Sequence, residues 1–486
     1  MTDILRWPLF GGLADLRTRR ALQVVLLAAA AAIVAHGLWG PQVAPRNTAT
    51  VLVWVHYRGL LLLALVAVGS LFCTACPMML VRDAARRVVE PRFTWPRALR
   101  NKWLAIGLLA AGLYAYELFD LWSLPATTAL IVVGYFAAAL LVDLLFRGAA
   151  FCKYVCPVGQ FNFVGAAMAP FELRVRDERT CASCRTADCI AGRRSAAAPV
   201  PMTFVRPLPP PAMERRVVAR GCELGIFLPA KVGNLDCTLC FDCVRACPHD
   251  NIGLMTRVPG AELTPAGRRS GIGRLAERGD LAALALLVTF GGLLNAFAMT
   301  APAATAAAWL AGAMGTRSEA ASLLVLFALG IGLVPVLLVG AASALTARLS
   351  SRPTDTTRAI AIRYAFALVP LGVGVWVGHT AFHLLTGLFT AVPVVQAAAA
   401  DAVGHDLLGA PLWTWTGVSP GTVWPLQIGA IVLGALGSAG VAQRLADEHD
   451  GAWAAAPWHV VIALIACTAL WVLAQPMEMR GLGVTG

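Results

Sequence analysis

Charged residues are scarce in this sequence, and acidic residues are scarcer than basic ones. Only 14% of the 486 residues are Asp, Glu, Lys or Arg, with 27 acidic against 39 basic side chains. Soluble globular proteins carry about 25% charged residues, so the composition excludes an ordinary soluble protein. Hydrophobic residues make up 58% of the chain instead. The composition therefore predicts a membrane protein.

Apolar windows recur along the chain at the length that a membrane span requires. Crossing about 30 Å of hydrocarbon takes roughly 20 helical residues. We place such windows near 21–39, 53–72, 103–122, 126–146, 281–299, 320–346, 364–393, 424–442 and 457–475. The sequence therefore predicts an all-α polytopic membrane protein with about nine transmembrane helices.

Basic residues concentrate in alternate connections between these windows. The N-terminus and the segments 82–102 and 348–363 are rich in arginine, whereas the intervening connections offer only Arg46, Arg317 and Arg480. The positive-inside rule then predicts a cytoplasmic N-terminus and, with nine spans, an external C-terminus. The first window lacks a cleavage site after it and is expected to stay as an anchor. Because the net charge of +12 is sorted by side and forms no single patch, no nucleic-acid partner is expected.

The apolar windows divide the chain into three predicted domains. Residues 1–146 form an N-terminal four-helix transmembrane bundle, and residues 281–486 form a C-terminal bundle of about five helices. Residues 147–280 are polar and make the only sizeable extramembrane domain, on the cytoplasmic side. Within it, the proline-rich stretch 196–216 cannot form a continuous helix and is interpreted as an extended linker.

Cysteines are confined to one part of the chain. Twelve of the thirteen fall between Cys73 and Cys247, at or near segments predicted to face the reducing cytoplasm. In that compartment thiols bind metal or do chemistry more often than they form disulfides. Disulfides are therefore not expected.

The densest group of cysteines is a run of the bacterial ferredoxin type. The sequence "CTLCFDCVRACP" places Cys237, Cys240, Cys243 and Cys247 at the spacing Cys-x2-Cys-x2-Cys-x3-Cys-Pro. In bacterial ferredoxins with two clusters, the fourth cysteine of such a run ligates the other cluster. Each predicted cluster therefore needs ligands from elsewhere in the chain.

Four further cysteines complete two predicted [4Fe–4S] sites. One site takes Cys181, Cys184, Cys189 and the borrowed Cys247, and the other takes Cys237, Cys240, Cys243 and the isolated Cys222. The domain is thus predicted to be an inserted α+β ferredoxin-like fold. The alternative is a zinc ribbon, which needs two Cys-x2-Cys pairs with a spacer; the close third and fourth cysteines and the following proline argue against it.

Two more cysteine pairs lie at the ends of apolar windows. Cys73 and Cys76, and likewise Cys152 and Cys156, are each followed directly by proline, where a helix ends or bends. Spacings of three and four residues put both thiols of a pair on one helix face. Three interpretations remain open. The pairs form a third metal or cluster site, they form a reversible dithiol, or they are small buried residues with a purely structural role.

These motifs together resemble a known family. The segments "CKYVCPVGQFNF" and "CTLCFDCVRACPHDN", over roughly residues 50–280, look like membrane polyferredoxins of the NapH, NosR and CcoG type, including FesM-like sequences. The resemblance implies a bacterial inner-membrane protein that passes electrons between the quinone pool and a redox partner protein or partner subunit. The first membrane pair has two intervening residues where the family usually has three, and the second bundle is additional.

Histidine and methionine residues suggest a second type of site in the membrane. The segment "VGHTAFHLL" places His379 and His383 one turn apart, and ionisable residues within membrane helices are functional by default. His36, His56, Met477 and Met479 fall at the same predicted external side. A b-type haem, a copper(I) ion or a quinol are the alternatives, beside a purely structural role.

The sequence predicts an electron-transfer protein that works through two [4Fe–4S] clusters in the membrane. No nucleophile–base arrangement or nucleotide fingerprint occurs, so any catalysis would be a redox reaction at quinone or metal. The main alternative is a cofactor-assembly or copper-handling protein, in which the clusters reduce a bound metal. A transport module formed by the second bundle is a third hypothesis, although that bundle has few intramembrane charges.

Overall fold

The computed structural model of the chain describes residues 2–194, 217–264, 267–351 and 355–477. The proline-rich stretch 196–216 and Met479 lie outside the described residues. Within the described part, eight helical stretches are long and apolar enough to cross a membrane: Leu16–Trp39, Thr48–Ala85, Pro125–Leu145, Gly279–Ala298, Glu319–Leu349, Thr357–Thr386, Pro420–Asp450 and Ala452–Leu473. These apolar helices confirm the prediction of a polytopic α-helical membrane protein.

Eight of the nine predicted windows correspond to these stretches. The ninth, near 103–122, is the apolar helix Trp103–Leu118, which has only 16 residues. At 1.5 Å per residue this helix is shorter than the hydrocarbon layer. The helix ends at Leu118, and Asp120, two residues later, has a left-handed backbone that is incompatible with its continuation.

The helices of nine or more residues are numbered in chain order: α1 Leu16–Trp39, α2 Arg58–Val68, α3 Pro77–Ala85, α4 Trp103–Leu118, α5 Pro125–Leu145, α6 Pro157–Gly165, α7 Gly279–Ala298, α8 Ala301–Ala313, α9 Glu319–Phe327, α10 Val334–Leu349, α11 Thr357–Ala365, α12 Val369–Thr386, α13 Ala391–Val403, α14 Pro420–Leu445 and α15 Ala456–Leu473.

Two short helices, α3 and α6, begin in the same way. Each has nine residues, starts with proline and follows a cysteine, Cys76 or Cys156. Proline suits the first helical position because its missing N–H would have no partner there. The break before α3 requires Gly69, whose φ of +69° is left-handed and whose added Cβ would lie 3.2 Å from Ala169.

In the described part of the polar middle segment, the strands form three small antiparallel pairs. They are β1 Phe171–Val175 with β4 Ile252–Thr256, β2 Arg193–Arg194 with β3 Val217–Ala219, and β5 Arg268–Arg269 with β6 Gly273–Arg274. In the longest pair, Phe171 faces Thr256 and Val175 faces Ile252. The β1–β4 pair thus joins the two parts of the segment that carry cysteines.

Buried ion pairs fasten the middle segment to the helices. Arg19 of α1 lies 2.9 Å from Asp242, and Arg82 of α3 lies 2.6 Å from Glu223. Both guanidinium groups are almost fully buried. The polar middle segment is therefore packed against α1 and α3 through these ion pairs.

The core of the second bundle lies where α12 crosses α14. An added Cβ at Gly374 would lie 2.5 Å from the carbonyl oxygen of Ala430, and one at Gly434 would lie 2.8 Å from that of Pro370. Small residues at such a crossing let the backbones approach closely, and close packing is what holds membrane helices together. This crossing sets the position of His379 on α12.

Candidate electron-transfer site

The cysteines of the middle segment form two groups. The group next to the membrane cysteine Cys73 is called the proximal quartet and consists of Cys222, Cys237, Cys240 and Cys243. Cys237 and Cys243 are buried, and the thiol of Cys243 interacts electrostatically with the other three. Cys222 thus joins the run despite its distance along the chain. Burial raises the pKa of the Cys222 thiol, and the backbone N–H of Ile226 lies 3.4 Å from its sulfur.

The backbone of the cysteine run turns in an unusual way. Asp236, Leu239 and Phe241 all have positive φ, at 61°, 48° and 59°. Non-glycine residues adopt this left-handed conformation rarely and at a cost. Turns of this kind direct successive backbone N–H groups toward one side, where they favour an anionic group. The loop is therefore shaped for thiolates or a negatively charged cluster.

The distal quartet consists of Cys181, Cys184, Cys189 and Cys247. The thiol of Cys189 interacts electrostatically with Cys247, Cys181 and Cys184. Asn251 contributes to the same quartet, since its side-chain amide lies 3.3 Å from the sulfur of Cys181 and its backbone N–H lies 3.4 Å from that of Cys247. Sequence reasoning missed Asn251.

Cys184 of the distal quartet has an acidic thiol. The backbone amides of Ala187 and Thr186 lower its pKa to about 7. Ala187 is left-handed, with φ of 48°, which turns its amide toward the sulfur. Exposed residues surround Cys184 in the chain, so the distal quartet lies closer to solvent than the proximal one.

Main-chain hydrogen bonds hold the two quartets side by side. The N–H of Cys222 donates to the carbonyl of Cys189 at 2.9 Å, and the N–H of Cys247 donates to that of Cys243 at 3.1 Å. Each bond joins a residue of one quartet to a residue of the other. The two groups of thiols are thus neighbours in one folded unit.

Four thiols can bind either a single metal ion or an iron–sulfur cluster. Throughout the described residues, no group of three or more His, Cys, Asp or Glu side chains is gathered tightly enough to share one metal ion. A structural zinc site needs four donors around one ion. A [4Fe–4S] cluster is likewise held by four thiolates, and each quartet contains four cysteines.

The membrane quartet consists of Cys73, Cys76, Cys152 and Cys156. Cys152 interacts electrostatically with Cys156, Cys76 and Cys73, so the four thiols of the two cysteine–proline pairs lie together. The sulfur of Cys156 accepts a hydrogen bond from the backbone N–H of Gly159 at 3.0 Å. The structure brings together two pairs that are almost eighty residues apart in the sequence.

Both proline-led helices start at the membrane quartet. Cys156 caps α6, and Cys76 holds the equivalent position before α3, without a side-chain hydrogen bond. The N-terminus of a helix carries a partial positive charge that stabilises anions. The hydroxyl of Tyr135 also lies 3.3 Å from the sulfur of Cys156, and sequence reasoning missed this residue.

The membrane quartet borders the proximal quartet. Cys73 interacts electrostatically with Cys240 and Cys237. The hydroxyl of Thr74, next to Cys73, donates to the carbonyl of Leu239 at 2.8 Å. The three quartets are therefore arranged in the order distal, proximal, membrane.

His379 and His383 form a second, separate polar group in the bundle. Their rings meet edge to face with centroids 4.8 Å apart. Both nitrogens of His379 and the Nε2 of His383 are buried without a hydrogen-bond partner among the described residues. A buried polar atom without a hydrogen-bond partner destabilises the folded protein. The two imidazoles are therefore suited to bind a ligand that supplies the missing hydrogen bonds.

Arg58, beside the histidines, connects them to two further polar residues on other helices. Arg58 of α2 interacts electrostatically with both imidazoles and donates to the side chain of Asn295 of α7. Asn295 in turn lies 3.0 Å from a carboxylate oxygen of Glu117 of α4. Sequence reasoning did not join these residues to the histidines, although a polar residue inside an apolar window was the available signal.

The other residues predicted for this site have partners of their own. His36 lies 3.0 Å from the hydroxyl of Thr48, and both ring nitrogens of His56 face backbone carbonyls. Met477 pairs with Thr300 in an isolated bridge. His36, His56 and Met477 are thus bound into the helix ends.

Comparisons with known proteins give little further information. No family model and no solved structure matches the chain. A protein of Methanocaldococcus jannaschii described as uncharacterized is 26% identical over 97 residues, which cover 20% of this chain. The matched part is 26% of that relative's own length. The comparison therefore names no function.

Proposed function

We propose that this chain is a membrane-bound electron-transfer protein that relays electrons through two [4Fe–4S] clusters. The distal and proximal quartets would hold them, and the relay would connect the quinone pool with a redox partner protein. The observation that carries the proposal is the grouping of the cysteines: Cys247 groups with Cys189, and the remote Cys222 groups with Cys243. The ligand exchange of two-cluster bacterial ferredoxins has the same pattern.

The residues around the quartets are suited to this task. When bound, such clusters accept and release single electrons, at potentials set partly by hydrogen bonds to sulfur and by solvent exposure. Here Asn251 donates to the distal thiols, while the proximal thiols Cys237 and Cys243 are buried. The two sites therefore differ in hydrogen bonding to sulfur and in solvent exposure. These differences would give the two clusters different reduction potentials.

The membrane quartet extends the proposed relay toward the bilayer. Its thiols lie between the starts of two helices and next to the proximal quartet. A negatively charged centre is stabilised in this position, whereas a dithiol would need only one of the two cysteine pairs. We therefore favour a third cluster or metal centre over a dithiol for Cys73, Cys76, Cys152 and Cys156.

Replacement of Cys222 by serine tests the ligand exchange. We expect Cys222→Ser to remove or alter the electron paramagnetic resonance signal of one reduced cluster and to leave the other unchanged, because only the proximal quartet loses a thiolate. Cys467→Ser is the matched control, since this exposed cysteine belongs to no quartet. Equal loss of both signals in Cys222→Ser would contradict the assignment.

The polar group around His379 supports a quinone site over a copper site. The Arg58 guanidinium beside both imidazoles disfavours a further cation, which weakens the copper-handling alternative. Neutral imidazole can accept a proton from a quinol hydroxyl, and Arg58 can stabilise a negatively charged oxygen. Phe161 of α6 packs against Trp376 of α12 with ring centroids 5.1 Å apart, which places this group beside the helix that starts at Cys156.

A quinol analogue tests this end of the relay. In membranes, a menaquinol or ubiquinol analogue is expected to reduce the clusters, and His379→Phe should slow this step by at least about tenfold, the range in which acid–base groups contribute. His405→Phe, at an exposed loop position, should leave the rate unchanged. Reduction by dithionite should be the same in all three proteins. An unaltered quinol rate in His379→Phe would remove His379 from the site.

A further inference from the structure

The connection between the second membrane stretch and α4 is strongly basic. Between Ala85 and Trp103 it carries one acidic residue, Glu90, and six basic ones: Arg86, Arg87, Arg92, Arg97, Arg100 and Lys102. Since it runs from the end of one apolar helical stretch to the start of the next, it lies at the edge of the bilayer. Its charge is therefore presented next to lipid.

Part of this charge is used to build the fold. Arg86 lies 3.3 Å from Glu223, and Lys102 lies 2.5 Å from Asp236. In contrast, Arg87, Arg92 and Arg97 are exposed, and the described residues give them no acidic partner within 4 Å. These three arginines therefore take part in no ion pair among the described residues.

A cavity of about 530 Å³ opens at this connection. It is lined by Val88, Val89, Glu90, Pro91, Arg92 and Arg147. Arg147 follows the end of α5 and donates to the carbonyl of Pro91 at 3.3 Å, so it is held at the cavity wall. Two guanidinium groups against one carboxylate leave the cavity with a net positive charge.

Large apolar side chains are exposed beside this charge. Val88 is 89% exposed and Phe93 is 58% exposed. Exposing such side chains to water would be unfavourable, whereas the boundary between headgroups and acyl chains accommodates them. The cavity therefore has a positive wall, the exposed Val88 in its lining and the exposed Phe93 next to Arg92 in the chain.

We propose that this cavity binds the phosphate headgroup of an anionic phospholipid. Arg92 and Arg147 would bind the phosphate, since guanidinium groups pair with phosphate oxygens through two parallel hydrogen bonds. Val88 and Phe93 would enter the acyl boundary. Basic pockets beside membrane helices recognise anionic headgroups in this way. The proposal does not depend on the redox role of the cysteines.

Short-chain lipids test the site on the purified protein in detergent. Wild type is expected to bind dioctanoyl phosphatidylglycerol at least about tenfold more tightly than dioctanoyl phosphatidylcholine, measured by thermophoresis. Arg92→Ala/Arg147→Ala should lose this preference. Arg317→Ala, which removes an exposed arginine of another connection, should retain it. An unchanged preference in the double variant would overturn the proposal.

Two further measurements distinguish lipid binding from phosphate binding and from a folding defect of the double variant. Inorganic phosphate should compete weakly, because it lacks acyl chains, and Val88→Ser should weaken binding of the phosphatidylglycerol probe without changing that of phosphate. Equal affinity for phosphate and phosphatidylglycerol would show an anion site without lipid recognition and would refute the proposal. Gel-filtration elution and iron content of the double variant should match those of wild type, which excludes a folding defect.

Discussion

Anaerobically purified protein is expected to contain about twelve iron and twelve acid-labile sulfide atoms per chain, four of each for every quartet if each holds a [4Fe–4S] cluster. Cys76→Ser/Cys156→Ser should lower both numbers to about eight. These two cysteines directly precede α3 and α6, so the double variant leaves only Cys73 and Cys152 in the membrane quartet. The domain quartets keep all their thiols.

The outcomes of this measurement separate the alternatives for the membrane thiols. A content of eight in both proteins would mean that the membrane quartet holds no cluster and would leave a centre of another metal or a dithiol as the alternatives. A content near four in wild type, or stoichiometric zinc, would contradict the two-cluster assignment itself. Cys467→Ser is the control, because Cys467 is exposed and lies far along the chain from every quartet.

Lys102→Met is expected to destabilise the protein by about 3–5 kcal/mol, the range for breaking a buried ion pair from one side. The Lys102 amine lies 2.5 Å from Asp236 and 2.9 Å from the carbonyl of Lys153. Both charged side chains are almost fully buried. Without the amine, Asp236 loses its ion-pair partner and keeps a buried charge directly before Cys237 of the proximal quartet.

Thermal unfolding in detergent and iron content measure this effect together. Lys102→Met should lower Tm and lose iron from the proximal quartet first, whereas Lys102→Met/Asp236→Asn should recover part of the stability because the orphaned charge is gone. Arg274→Met is the matched control: its pair with Glu277 is exposed, and such pairs contribute about 0–1 kcal/mol. A Lys102→Met protein as stable as the control would contradict the role of this pair.

The membrane helices could be predicted from the sequence because a span is a local property. Roughly 20 consecutive apolar residues suffice to recognise one, and eight windows correspond to observed stretches. The short helix Trp103–Leu118 shows the limit of this reasoning, since the apolar window continues to residue 122 while the backbone turns left-handed at Asp120. Hydropathy does not report such a break.

The polar group at His379 shows a different limit. Arg58 and Asn295 are 237 residues apart in the chain, and nothing local in either window indicates that they meet. Their contact follows from the packing of α2, α4, α7 and α12. A single sequence shows which polar residues lie in apolar windows, but it does not show which helices are neighbours.

The amino-acid sequence by itself determined that the chain is a helical membrane protein, and it located the cysteine pairs that precede proline and the ferredoxin-like run. These are features of spacing and composition within short stretches. The ferredoxin spacing also predicted that Cys222 groups with Cys243 and that Cys247 groups with Cys189. Only the tertiary structure decided that the membrane quartet borders the proximal quartet and that Arg58 meets Asn295. The physical reason is that thiols from distant segments are brought together by long-range strand pairing, buried ion pairs and helix packing, which act between residues far apart in the chain.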